Sequence, residues 1–216
     1  MITYLSIYIY LTVILLSEIK LNHDSKKFYF ILLFIFILLF VSGRHYVGGD
    51  YVKYLYWFEH AKLFPPKGLS LLFGLNYITI FSHTLSLNYF LFNFLCALIF
   101  LSGIFKFLNI SNERLFVIIL LIPTMIYVVG LGYTRQSVSI GFLCLAIYYW
   151  SENKNVKKFI FFILSVLVHL SSLIFIFILF YKSYEKIKFS KLYVLSTLTI
   201  GFLFIFFILY FNSLLL

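Results

Sequence analysis

Long apolar runs alternate with short polar, mostly basic segments from one end of the chain to the other. Crossing a hydrocarbon core of about 30 Å takes roughly 20 apolar residues in helical form. By that measure residues 1–17, 28–43, 87–105, 115–133, 134–150 and 192–216 read as spans. Two further runs are unusual. Residues 68–81 are short and read as re-entrant or interfacial, while 159–181 is apolar except for His169 and the serines after it. The latter predicts a broken segment that enters and returns, turning near His169. Pro123 is expected to kink its helix, and Gly130-Leu131-Gly132 to break it before Thr134 opens the next. The fold class expected is all-α: a polytopic transmembrane bundle of about 7–8 hydrophobic segments, some re-entrant, forming one integral membrane domain over 1–216.

Composition strengthens this picture. The chain is 63% hydrophobic and 11% charged, with a mean hydropathy of +1.06. Soluble domains carry roughly 25% charged residues, and no aqueous core holds 29 Phe and 18 Tyr in 216 residues. The net charge of +10 does not point to nucleic acid, because the lysines gather in short connections between apolar runs, as orientation signals do. Residues 1–17 have no basic start and no small-residue cleavage site, so they read as a retained first span. Cys96 and Cys144 lie inside apolar runs and read as small buried hydrophobes. No spacing suits a metal, and no cofactor is expected.

Loop charges also give an orientation. Placing 18–27 in the cytoplasm puts 44–67 outside, as an outer-face loop rich in aromatic and polar residues. With 68–81 dipping in without crossing, the basic loops at 106–114 and 151–158 both become cytoplasmic. Arg135 then starts its helix on the same outer side as Arg44 and Asp50.

Three places hold candidate chemistry. The first is Arg44-His45-Tyr46-Val47-Gly48-Gly49-Asp50-Tyr51, a polar, flexible stretch between spans. Its Arg44 and Asp50 suit an anion clamp beside a general base, and suit equally an interfacial ion pair with a snorkelling arginine. The second is Thr134-Arg135-Gln136. An arginine at a helix start adds its fork of donors to free N–H groups and a positive dipole end, which favours phosphate, though it would also serve as a topology anchor. The third is His169, followed by Leu170-Ser171-Ser172. Ionisable groups inside a membrane tend to line sites, yet a lone histidine on an apolar face is often only a hydrogen-bonding partner. Asn76, Asn88 and Asn93 read as interhelical hydrogen-bonders.

Taken in order, these three motifs resemble the EpsG-like family of polysaccharide polymerases, similar in type to the Wzy polymerases of O-antigen, capsule and exopolysaccharide. The resemblance covers roughly residues 28–181. Family members run longer beyond the histidine helix, so this chain is expected to be a shortened member. They also carry a Glu-Pro pair where this chain has Pro66-Lys67-Gly68, so one acidic candidate is missing. The resemblance implies a multi-pass protein of the bacterial inner (cytoplasmic) membrane. The implied reaction joins lipid-linked oligosaccharide repeat units, transferring a glycan from undecaprenyl pyrophosphate to an acceptor sugar hydroxyl. It implies catalytic roles for Asp50 and His169, pyrophosphate binding by Arg44, Arg135 and Gln136, and sugar stacking by Tyr46 and Tyr51. The partners implied are the lipid-linked glycan, the bilayer, a chain-length regulator and a flippase. A transporter or flippase of the same lipid, or a glycan-modifying membrane enzyme, is the alternative; the internal repeats common in transporters are not seen in the sequence.

Overall fold

The computed structural model describes residues 8–9, 12–13, 23–60, 88–111 and 114–176. Met1–Phe175 forms one compact unit and Ile176–Leu216 a second, and apart from Ile176 the described residues belong to the first. Those residues are helical, with no strand among them. The expected segments at 68–81 and 192–216, nearly all of 1–17, and Asn76 lie outside the described residues.

Six α-helices follow one another: α1 (His23–Ser42), α2 (Tyr51–His60), α3 (Tyr89–Leu108), α4 (Arg114–Leu121), α5 (Thr134–Ser151) and α6 (Asn155–Val168). A π-helix (Ile122–Gly130) continues α4, and a 3₁₀ turn (Leu170–Phe175) follows α6. By length and apolarity α3 alone among the described helices is sufficient to cross a membrane, and Lys27–Ser42 and Phe116–Gly130 are shorter apolar helices. The apolar runs at 28–43, 87–105, 115–133 and 134–150 therefore each became a helix within a few residues of the expected bounds.

Two elements differ from expectation. Residues 44–67 read as a loop, yet α2 occupies 51–60. Tyr51, Tyr54 and Phe58 recur at helical spacing and are buried, while Tyr56 and Trp57 on the other face are exposed. Aromatic residues on both faces conceal the period in the sequence. Pro123 does not simply kink its helix. It sits at the start of the π-helix, where a residue without an N–H is tolerated and the wider turns absorb the clash that a proline ring makes with the preceding turn.

The helix directions follow from which ends meet. Asn93 early on α3 and Thr134 at the start of α5 both bind Arg44 at the end of α1. Far along the same two helices, Lys106 Nζ lies 5.4 Å from the Tyr148 ring, so α3 and α5 run parallel. Phe30 and Phe34 of α1 pack against Phe105 at 4.7 and 5.0 Å, so α1 runs antiparallel to them. α6 starts beside Tyr149 and returns, with Ser165 reaching Ser139 of α5. One end of the unit thus holds Arg44, the loop after Gly130 and His169. The other holds Lys106 and the α5–α6 turn. This is the sidedness that the loop charges predict.

The core is apolar and packs as membrane bundles do. Phe100, Leu101, Ile104 and Leu108 of α3 are fully buried against Ile37 of α1 and Ile118, Ile122 and Ile126 of the fourth segment. α3 and α5 approach to backbone contact at Gly103 and Gly141, where a Cβ on either would overlap main-chain atoms of the opposite helix. Small residues permit this approach and dispersion supplies the attraction.

Candidate functional site

Arg44 emerges just past the end of α1 and turns inward, leaving only 8% of its surface exposed. Its Nη1 donates to the carbonyls of Gly130 (3.4 Å) and Leu131 (2.9 Å). Nη2 donates to Asn93 Oδ1 at 3.0 Å and to Thr134 Oγ1. Carbonyls at a helix C-terminus lack intrahelical donors and carry the negative end of the dipole. The guanidinium therefore satisfies the end of the π-helix while tying α1, α3 and α5 together. Burial pulls its pKa down from the ordinary value, and the nearby Tyr89, Cys96, Tyr51 and Asp50 act the other way; arginine stays charged at any physiological pH. No Arg44–Asp50 ion pair forms.

The Arg44 loop then docks on the loop before α5. Gly48 has φ +96°, and a Cβ there would overlap the Leu131 carbonyl oxygen and approach the Gly132 backbone. Only glycine combines this backbone with this contact. Two residues later the Asp50 N–H donates to Gly132 O at 3.4 Å. These contacts carry Asp50 and Tyr51 into α2, and Arg135 into the first turn of α5.

Asp50, Tyr54, Arg135 and His169 converge at this end. The Arg135 guanidinium lies close enough to the Tyr54 hydroxyl for its charge to act there, and the Asp50 charge reaches the same group. Burial pushes the Tyr54 phenol far up, so it keeps its proton. The Arg135 and Asp50 charges both act on the His169 ring. Arg135 Nε is buried with no hydrogen-bond partner, a state that normally calls for a partner. The Asp50 side chain is half-buried and makes no hydrogen bond or ion pair among the described residues. Gln136 is half-buried beside Arg135, with no hydrogen bond joining it to the others.

His169 is held by a knot of serines. α6 ends at Val168, and His169 is extended (φ −150°, ψ 112°), so the chain breaks where the sequence suggests. Its N–H donates to Ser165 O and its carbonyl accepts from Ser172 N–H, each at 3.0 Å. Ser139 Oγ on α5 lies 3.0 Å from Ser165 Oγ and 2.6 Å from Ser172 Oγ. Ser165 Oγ donates in turn to Ser139 O at 2.9 Å. All three serines are buried.

Aromatic rings form the rim. Tyr51 Oη and His45 Nδ1 are 3.2 Å apart, and Tyr89 Oη donates to Tyr51 O at 3.2 Å. The Tyr46 ring lies 5.3 Å from that of Tyr51 and 4.5 Å from that of His45. Tyr46 is 65% exposed and has φ 51°, a left-handed backbone uncommon for a bulky residue. Among the described residues no three His, Cys, Asp or Glu side chains gather as a metal site requires.

Sequence reasoning placed Arg44, Asp50, Arg135, His169, Tyr46 and Tyr51 at this end, named Thr134 without its bond to Arg44, and missed Tyr54, Ser139 and Ser165. Tyr54 had a signal, since it stands one helical turn after Asp50. Asn93 read correctly as an interhelical hydrogen-bonder, though without its partner. Asn88 instead caps α3, accepting from Leu91 N–H at 3.0 Å.

A family model described as the EpsG family matches residues 27–216. The chain belongs to the EpsG family. The matched region holds every element from Lys27 of α1 onward and all of the converging residues, and it continues past the 28–181 covered by the motifs. Membership makes this a membrane protein and points to a polymerase role in polysaccharide biosynthesis. No curated protein and no solved structure matches the chain.

Proposed function

We propose that this EpsG-family chain polymerises lipid-linked oligosaccharide repeat units at the outer face of the bacterial cytoplasmic membrane. The observation that carries the reading is Arg135, whose buried Nε lacks a partner while its side chain lies with Asp50, Tyr54 and His169. Both terminal nitrogens of Arg44 are taken up by protein acceptors, so of the two arginines Arg135 is the one left to take an anion. Its planar fork suits the paired oxygens of a pyrophosphate, and the first turn of α5 adds free N–H groups and a positive dipole end.

In this reading the anomeric carbon of the growing glycan loses its bond to undecaprenyl pyrophosphate oxygen, and the electron pair leaves with the pyrophosphate. The acceptor hydroxyl oxygen forms the new bond to that carbon. Its proton passes to Asp50, which has no competing donor among the described residues. Arg135 offsets the charge that grows on the leaving group, and Tyr54 holds Arg135 in line. His169, within reach of both charges, orients the acceptor. Tyr46 and Tyr51 offer ring faces to the sugars, and the strained Tyr46 backbone fixes the outer ring in place.

The reading is tested by removing the chain from its producing strain and sizing the surface glycan. Loss of a polymerase leaves single repeat units on lipid exposed outside the cell, restored to long chains by the wild-type chain. Loss of a flippase leaves no exposed units, and that result overturns the proposal.

A further inference from the structure

The end of the unit opposite the candidate site concentrates positive charge on aromatic rings. Lys157 and Lys154 place their ammonium groups 5.2 and 6.0 Å from the Tyr149 ring centroid. Lys106 stands 5.4 Å from Tyr148, and the two tyrosine rings are 5.3 Å apart. Lys158, only 6% exposed, lies 4.6 Å from the Phe159 ring. These lysines come from two helices distant in sequence. Among the described residues, one carboxylate pairs with these four ammonium groups, Glu152, 3.5 Å from Lys154, so the described cluster keeps a local charge of about +3. Cation–π contact holds the heads close together without neutralising them.

The setting selects the anion. α3 is 20 residues long, about 30 Å at 1.5 Å per residue, so its two ends lie at opposite headgroup layers. Immediately beside the lysines, Val156, Ile160 and Ile163 of α6 are exposed and fall at i, i+4 and i+7 on one face. A ligand matching both features has a negative head and an apolar tail.

We propose that Lys106, Lys154 and Lys157 bind the phosphate headgroup of an anionic phospholipid, with its acyl chains along Val156, Ile160 and Ile163. The site is separate from the polymerase reading and does not depend on it. Lysines near a membrane surface each strengthen attachment to anionic lipid by about 5-fold, so removing two lowers affinity on the order of 10- to 30-fold.

The test is native mass spectrometry of the full chain in detergent, titrated with dioleoyl phosphatidylglycerol or dioleoyl phosphatidylcholine. Phosphatidylglycerol is expected to bind at least about 10-fold more tightly. K154A/K157A should lose that preference, and K154R/K157R, which keeps the charge, should retain it. Wild type and both variants are compared by size-exclusion profile, so that misfolding is recognised and K154R/K157R alone then decides. Equal binding of the two lipids, or loss of the preference in a folded K154R/K157R, overturns the proposal. Displacement of phosphatidylglycerol by millimolar inorganic phosphate alone also overturns it, because the site would then recognise a free anion.

Discussion

Arg44 and Arg135 stand at the same end of one unit and do different work. Arg44 is surrounded by acceptors from three helices, whereas Arg135 meets Tyr54 and keeps a buried N–H unpaired. Replacing Arg44 by Met orphans the Gly130, Leu131 and Asn93 oxygens. The expected loss is about 3 kcal/mol or more, read as a lower melting temperature in detergent. Replacing Arg135 by Gln removes a guanidinium that satisfies no helix end among the described residues, so its melting temperature should fall far less than that of the Arg44 variant while glycan polymerisation is lost. Equal destabilisation by both would contradict this division. Tyr54→Phe leaves the ring packed and deletes only the hydroxyl that faces the Arg135 guanidinium; chain elongation should fall about 10-fold at unchanged protein level, the scale of one lost polar contact to a charged group. These distinctions lie beyond the sequence. Both arginines follow a glycine-containing break beside apolar helix, and only partners 49 to 90 residues away separate a staple from a free cation.

Elements fix the site through contacts between small residues and buried hydroxyls. Gly103 and Gly141 let α3 and α5 touch, so Gly141→Leu should force the helices apart and cost about 3 kcal/mol or more, measured as loss of folded material in detergent. The serine knot makes a milder prediction. Ser139→Ala leaves Ser165 and Ser172 to share fewer partners, for about 1–2 kcal/mol, and loosens the 3₁₀ turn that holds His169. Hydrogen exchange at 169–175 should rise more than at α3, and equal change in both would argue against a local role. The helix boundaries were legible because apolar runs of membrane length announce themselves. α2 was not, because its exposed face is as aromatic as its buried one. The serines were overlooked because single hydroxyls in an apolar run carry no pattern until the helices pack.

At the scale of the whole chain, sidedness is the feature that sequence and structure support most directly together. Lysine counts alone divide the loops into two sets, and the described parts of those loops lie at opposite ends of the first unit. The motif residues at 44–51, 134–136 and 169–172 come together although they are spread over more than half the chain. Their order in sequence suggested a common site; the parallel run of α3 and α5 and the return of α6 supply the geometry. Family membership accounts for the motifs, and the geometry brings their residues to one end of the unit. The roles proposed for Asp50 and Arg135 meet in one measurement. Cells whose sole copy carries Asp50→Asn or Arg135→Lys are compared with wild type by separating the surface glycan according to length, at matched protein abundance. The account predicts single repeat units with long chains reduced about 100-fold or more for Asp50→Asn, the scale of a lost general base. It predicts shortened, sparse chains for Arg135→Lys, which keeps the charge and loses the fork. Wild-type ladders from both variants would contradict it.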